Sequence, residues 1–281
     1  MTESFVDVNG CRTWTATVGS GPPVVLVHGG PGICDYTGPV AAMLSDRYSV
    51  RRYEQRGCGR TAAVPPYDMA TLVADLESLR AGWHDERVRL IGHSFGASLA
   101  FLYASEHPER VERLVLWCGT GIADGWQARH RDAVAARLTA AERARMDELR
   151  ELRLADTPDP EGSLDREAMR LLALSDLADR ANERLLPDPV FEYPANWPVN
   201  RDVNRDWQRL VASGELETRA RGLGTWTLVW AAGGDPRPAD PARQLASFIP
   251  NARFESLPDA GHIPWFERPD AVRARLVELL A

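Results

Sequence analysis

The sequence contains no lysine. All 33 basic residues are arginine, spread along the chain, and 40 acidic residues outnumber them, for a formal net charge of -7 over 281 residues. That balance argues against a general nucleic-acid binder. There is no uninterrupted apolar run of transmembrane length. The first residues, Met1-Thr2-Glu3-Ser4, bring an acid where a secretory leader would have a basic stretch before an apolar one, so a cytoplasmic location is expected. Cysteine is sparse: Cys11, Cys34, Cys58 and Cys118 stand apart with no C-x-x-C pair, which suggests neither a zinc site nor a disulfide frame. The expected chemistry therefore uses no metal and no cofactor, and the expected partner is a small molecule or short peptide. Nothing in the sequence sets the oligomeric state.

What is present is a sharp strand-to-helix junction. Val88-Arg89-Leu90-Ile91 is a β-type run, Gly92-His93-Ser94-Phe95-Gly96 follows at once, and Ala97 to Ser105 is apolar and helix-forming. A serine between flanking glycines in this context is the G-x-S-x-G turn of a nucleophile. Crowding by the strand and helix favours glycine at both flanks, and the helix start offers backbone N–H groups and a positive dipole end to a developing anion.

The rest of the chain is read around that turn. Phe5 to Val18 suits a β-hairpin turning at Asn9-Gly10. Val24 to Val27 is a continuous apolar run, the mark of a strand buried on both faces of a parallel sheet, and it ends in His28-Gly29-Gly30-Pro31-Gly32. This loop is the expected source of a second oxyanion donor: the N–H of Gly30 with that of Phe95, or Gly29 in place of Gly30. His28 is expected to brace the loop and His93 to be structural. Ser49 to Tyr53 is a strand leading into Glu54-Gln55-Arg56-Gly57-Cys58-Gly59-Arg60-Thr61, where Glu54 and Arg56 could pair. Leu72, Leu76, Leu79 and Trp83 mark one face of a helix, and Leu114 to Trp117 is another buried strand. Alternating strands and helices predict a parallel α/β sheet.

From about Ile122 to Gly222 no strand is evident. Ala133 to Leu154 and Leu164 to Leu186 read as helical, followed by a proline-rich stretch with Phe191, Tyr193 and Trp197. The expected organisation is a core of residues 1–121 and 223–281 interrupted by a helical lid over 122–222. The lid's aromatics are candidates either for the pocket roof or for its own small core. The sheet then resumes at Thr225 to Ala232, a helix covers Pro241 to Phe248, Ala252 to Leu257 is the last strand, and Pro269 to Leu280 the last helix.

Ser94, Asp235 and His262 each follow a strand at the edge where open α/β sheets bind ligands. His262 would take the Ser94 proton, and Asp235 would orient the imidazole and stay ionised. Asp240 and Asp259 are rival acids. At these residues the chain resembles the α/β-hydrolase superfamily and, within it, the proline iminopeptidase-like group. His28 to Gly32 matches that group's H-G-G-P-G, Glu54 to Arg60 is similar to its D-Q-R-G-x-G-R loop with Glu for Asp, and Gly261-His262 matches its histidine loop. Gly92 to Gly96 departs from the group's more frequent G-G-S-W-G. The resemblance implies a mostly parallel sheet flanked by helices under an inserted helical lid. It also implies a Ser-His-Asp hydrolase of small amides or esters, in first place an aminopeptidase. An esterase, lactonase or thioesterase, and a non-catalytic small-molecule receptor on the same fold, are the alternatives. Lid acids would bind the substrate amine: Glu183, Glu192, Asp202 and Asp206 are candidates, with Trp197, Asn200 and Asn204 as further pocket residues.

Overall fold

The computed structural model describes residues 1–155, 157–159 and 161–281. Its centre is one eight-stranded sheet. The strands are β1 (Thr2–Val8), β2 (Cys11–Val18), β3 (Pro23–Val27), β4 (Ser49–Tyr53), β5 (Val88–His93), β6 (Val111–Trp117), β7 (Thr227–Ala232) and β8 (Ala252–Leu257). Their order is β1-β2-β4-β3-β5-β6-β7-β8. β1 and β2 form the expected antiparallel hairpin, with Asn9 and Gly10 both at positive φ (51° and 74°) as a tight primed turn requires. β2 also runs antiparallel to β4, and every pairing from β4 onward to β8 is parallel.

Helices α1 (Gly38–Leu44), α2 (Met69–Gly82) and α3 (Phe95–Glu106) belong to the first part of the chain. α4 (Trp126–Arg137), α5 (Ala140–Leu154), α6 (Ser163–Asp176), α7 (Trp197–Ser213) and α8 (Glu215–Gly222) all lie between β6 and β7. α9 (Asp240–Phe248), α10 (Pro264–Glu267) and α11 (Pro269–Leu280) complete the fold. Strand residues alternate between two apolar layers, as a pleat with period two demands. Val25, Val27, Leu90, Leu114 and Leu116 face the core built with α2, α3 and α9. Val24, Leu26, Ile91, Val115 and Trp117 face the core built with α1 and α11. Burial on both faces is why these strands read as unbroken apolar runs.

Between β6 and β7, α5, α6 and the stretch after α6 carry a core of their own, made of Leu149, Leu171, Ala173, Leu174, Leu177 and Leu186, whereas Val199, Val203 and Trp207 of α7 and Leu216 of α8 join the core built with α2, α3 and α9. The former is a leucine core, so the segment's aromatics are free for other surfaces. Two helical stretches read from composition are broken here. Ala133 to Leu154 divides at Thr139, whose side chain accepts from the Glu142 N–H while Glu142 returns a bond to the Thr139 N–H. Thr139-Ala140-Ala141-Glu142 is a capping box, a start signal that outweighs the uniform helix propensity around it. Leu164 to Leu186 divides after Asp176, where the chain leaves α6 and a short 3₁₀ turn covers Arg180–Leu185. Among the described residues no helix is long and apolar enough to cross a membrane.

Candidate active site

Ser94 sits between β5 and α3 with φ 58° and ψ -124°, a conformation that costs a non-glycine residue and persists only where its surroundings enforce it. Its own N–H is tied to the Trp117 carbonyl at 2.8 Å. The glycines on either side are required by space: a Cβ on Gly96 would stand 2.1 Å from the Val27 carbonyl oxygen, and one on Gly92 would stand 2.1 Å from the Gly96 oxygen. The turn thus holds the hydroxyl at the C-terminal edge of the central strands.

Two later loops reach the same point. His262 Nε2 lies 3.0 Å from Ser94 Oγ, and His262 Nδ1 lies 2.6 Å from Asp235 Oδ2. Asp235 follows β7, and its side chain is 5% exposed. Burial alone would raise the Asp235 pKa. The charges of His262 and Arg237 and the bonds they make outweigh it, so the carboxyl is held below the usual carboxylate range. An ionised acceptor obliges His262 Nδ1 to carry a proton, which leaves Nε2 with a lone pair toward the serine.

A second hydrogen-bond chain supports this one. His93 Nε2 is 2.7 Å from the His262 carbonyl oxygen, which can only accept, so His93 carries its proton there. Its Nδ1 then accepts from Tyr36 Oη at 2.7 Å, and Tyr36 Oη accepts from the Gly29 N–H at 2.9 Å. Burial, and after it the neighbouring His262, pushes the His93 pKa well below its ordinary value, so the ring is neutral. The Gly29 N–H is therefore engaged and unavailable to an oxyanion, which removes that alternative. The Gly30 N–H has no acceptor among the described residues. Phe95 opens α3, and its N–H lies outside the helical ladder. His28 braces the loop as expected: its Nε2 accepts from the Gln55 N–H at 3.0 Å and its Nδ1 donates to the Gly29 oxygen at 2.8 Å.

His93, Cys118 and His262 bring possible metal-ligand atoms within 4.8 Å of one another. Both nitrogens of each ring already serve the two chains above, and burial pushes the Cys118 thiol well above its ordinary pKa. A metal there would have to displace those bonds.

Ser94 and His262 open into a cavity of about 170 Å³. Its walls are mostly apolar, with Ile33, Met169, Leu172, Phe191 and Trp197 among them. The segment between β6 and β7 supplies much of this lining, so its helices stand over the serine. A model of the alpha/beta hydrolase fold matches residues 22–269.

The chain belongs to the α/β-hydrolase family. Over its whole length this α/β hydrolase is 26% identical to a proline iminopeptidase of Lactobacillus delbrueckii subsp. bulgaricus, covering 97% of that protein. A shorter stretch of 99 residues is 38% identical to a proline iminopeptidase of Xylella fastidiosa, covering 34% of this chain and 32% of that one. Among solved structures it is similar to the meta-cleavage product hydrolase CumD of Pseudomonas fluorescens IP01. The TM-score is 0.74 at 22% identity, covering 98% of this chain and 96% of that chain.

The pocket residues named from sequence divide into two groups. Trp197 and Asn200 line the cavity of the hydrolase, and Asn200 Nδ2 donates to the Pro31 carbonyl at 2.8 Å. Glu192 does not: it is exposed, in a neighbouring cavity of about 380 Å³. Asn204 is also off the wall, because one further turn of α7 carries it about 6 Å along the axis from Asn200. Glu183 pairs with Arg170, Asp202 with Arg201, and Asp206 bonds the Met69 N–H and Arg209. The rival acids are engaged elsewhere too, Asp240 with Arg129 and Asp259 with Arg268. Glu54 and Arg56 do not pair. Glu54 turns back onto Arg60, whose guanidinium and N–H it accepts from, and Arg56 reaches Asp75 of α2 at 2.8 Å, where two nitrogens of its guanidinium meet both carboxylate oxygens.

Two charged residues at the cavity were not foreseen. Asp176, the last residue of α6, and Arg237, two residues beyond Asp235, both line it. Arg237 donates to Asp176 at 2.7 Å and to Asp235 at 3.2 Å. The sequence held a hint of Arg237 in its position beside Asp235. Asp176 gave none, being one acid among many between β6 and β7.

Proposed function

We propose that this α/β hydrolase is a serine hydrolase of small amides or esters, with Ser94 as nucleophile, His262 as general base and acid, and Asp235 as the carboxylate that orients it. Ser94 Oγ attacks the substrate carbonyl carbon as its proton passes to His262 Nε2. The N–H groups of Gly30 and Phe95 receive the oxyanion, a contribution of about 3–4 kcal/mol per donor in serine enzymes of this kind. The imidazolium returns its proton to the leaving amine or alcohol. Water, deprotonated by the same ring, then cleaves the acyl-enzyme. The observation that carries this reading is the unbroken run from Ser94 Oγ through both nitrogens of His262 to Asp235, at 3.0 and 2.6 Å, on a serine held at positive φ. The helices of residues 122–222 act as the lid, restricting access to small molecules and short peptides.

Within that class the favoured activity is release of an N-terminal residue from a short peptide or amide. The His28-Gly29-Gly30-Pro31-Gly32 loop and the whole-length likeness to a proline iminopeptidase support it. A second reading, hydrolysis of a neutral ester or lactone, rests on a different observation. The carboxylate at the cavity, Asp176, is engaged by Arg237, so among the described residues no unpaired acid waits there for an ammonium group. Prolyl, alanyl and leucyl anilides set against short-chain nitrophenyl esters decide between them. The aminopeptidase reading expects kcat/KM for the prolyl anilide to exceed that of its N-acetylated form by about a hundredfold, the worth of one recognised charge. Ester turnover with every free-amine anilide inert would remove the aminopeptidase and leave the hydrolase.

A further inference from the structure

The exit of α6 is fastened to both loops that carry Asp235 and His262. The His262 N–H donates to the Asp176 carbonyl at 2.7 Å. A Cβ on Gly261 would meet that oxygen at 1.9 Å, and a Cβ on Gly234 would meet the Ala178 Cβ at 2.4 Å. Each of the two loops therefore has a glycine immediately before its key residue, and the same few residues, Asp176 to Ala178, occupy the space. Glu267 completes the fastening, accepting from the Gly261 N–H at 2.6 Å and from the Ala178 N–H at 3.1 Å. The side chains add a charged link. Asp176 Oδ1 holds Arg237 at 2.7 Å, the same guanidinium nitrogen reaches Asp235 Oδ1 at 3.2 Å, and the Arg237 N–H donates to that oxygen at 2.9 Å. The remaining carboxylate oxygen of Asp235 is then the one that faces His262.

We propose that Asp176 is a positioning residue for the reaction. Acting through Arg237, it fixes the Asp235 carboxylate against His262 and balances the guanidinium charge beside the imidazole, so that the inserted helices complete the catalytic array they cover. This rests on the reading of Ser94, His262 and Asp235 given above. Its consequence is electrostatic. The groups facing His262 are Asp235 and Arg237 from the loop after β7, Asp176 from α6, His130 from α4, His93 from β5, Cys118 after β6 and Glu267 from α10. Of these, Arg237 is the cation, and burial is opposed by Asp176 and Asp235, which keep it charged. Removing the Asp176 charge leaves the guanidinium less balanced and disfavours imidazolium. Removing Arg237 does the reverse.

The test is the pH dependence of Ser94 labelling by a fluorophosphonate, which needs no knowledge of the natural substrate. Asp176→Asn leaves the backbone carbonyl that holds His262 in place. It is expected to move the acidic limb to lower pH by about one unit and to slow labelling on the plateau three- to tenfold, the scale of one charge at partly screened range. Arg237→Gln is expected to move the limb to higher pH by about as much, and the double variant to return to within a few tenths of wild type. Asp176→Glu keeps the charge and is expected to keep the wild-type limb, which also serves if Asp176→Asn folds poorly. Single variants with the wild-type profile, a double variant whose limb stays about a unit away from wild type, or Asp176→Glu behaving like Asp176→Asn would each overturn the proposal. Failure of the underlying reading is separable: a probe that labels Ser94→Ala as fast as wild type removes the nucleophile assignment whatever the profiles do.

Discussion

Ser94→Ala is expected to lower turnover of any ester or anilide substrate by roughly five orders of magnitude, leaving only what binding and oxyanion donors contribute. The effect is large because, among the described residues, the hydroxyl is the atom in the cavity poised both against a proton acceptor, at 3.0 Å, and beside the N–H of the residue that opens α3. The fold should not suffer. The strained φ of 58° is imposed by the strand, the helix and the two close-packed glycines, and alanine has the same β-carbon to accommodate. Thermal melting of the variant no lower than wild type, measured beside its kcat/KM, separates loss of chemistry from loss of structure. Turnover retained above about one per cent, far more than the residual rate of serine enzymes lacking their nucleophile, would mean that water or another group attacks the substrate.

Asp235→Asn is expected to cost roughly four orders of magnitude in kcat with little change in KM. The replacement is nearly isosteric, so the reason is protonic. The ionised carboxylate accepts from His262 Nδ1 at 2.6 Å, which keeps the lone pair of Nε2 facing Ser94. An amide can turn its NH₂ toward Nδ1, making that nitrogen the acceptor and moving the ring proton to Nε2, where the serine needs a base. Arg237 also loses a charged partner, and its guanidinium becomes an unbalanced cation beside a ring that must acquire positive charge in the transition state. A loss smaller than a hundredfold would show that another acid stands in. Asp176 is the acid placed to do so, since it holds the other side of the same guanidinium.

Much of this arrangement was legible in the residues because it depends on features with strong local signatures. Buried parallel strands announce themselves as apolar runs, and Val24 to Val27 and Leu114 to Trp117 did so. A turn without room for side chains demands glycine on both sides, as at Gly92 and Gly96. Loops after such strands share one edge of the sheet, which is enough to gather Ser94, Asp235 and His262 without knowing any distance. The inserted helices carry no comparable constraint. Helix periodicity states that Asn200 and Asn204 share a face but not which turn reaches the cavity. Of the four candidate acids in the same segment, Glu183, Asp202 and Asp206 bond arginines and main chain on other surfaces, and Glu192 is exposed beside a neighbouring cavity. Asp176 matters through a main-chain oxygen and a partner far away in sequence, neither of which leaves a trace in residue type. The Glu54–Arg60 and Arg56–Asp75 pairings illustrate the same limit: three charged residues within one loop were visible, and their partners depended on what packed beneath them.

The most direct measurement of the central claim is the mass of the intact protein after a fluorophosphonate, followed by peptide mapping of the adduct. The account predicts one adduct per chain, on Ser94, abolished by Ser94→Ala and slowed severely by His262→Ala. An adduct mapped to any other residue, or rapid ester hydrolysis by a protein that the reagent never modifies, would contradict it.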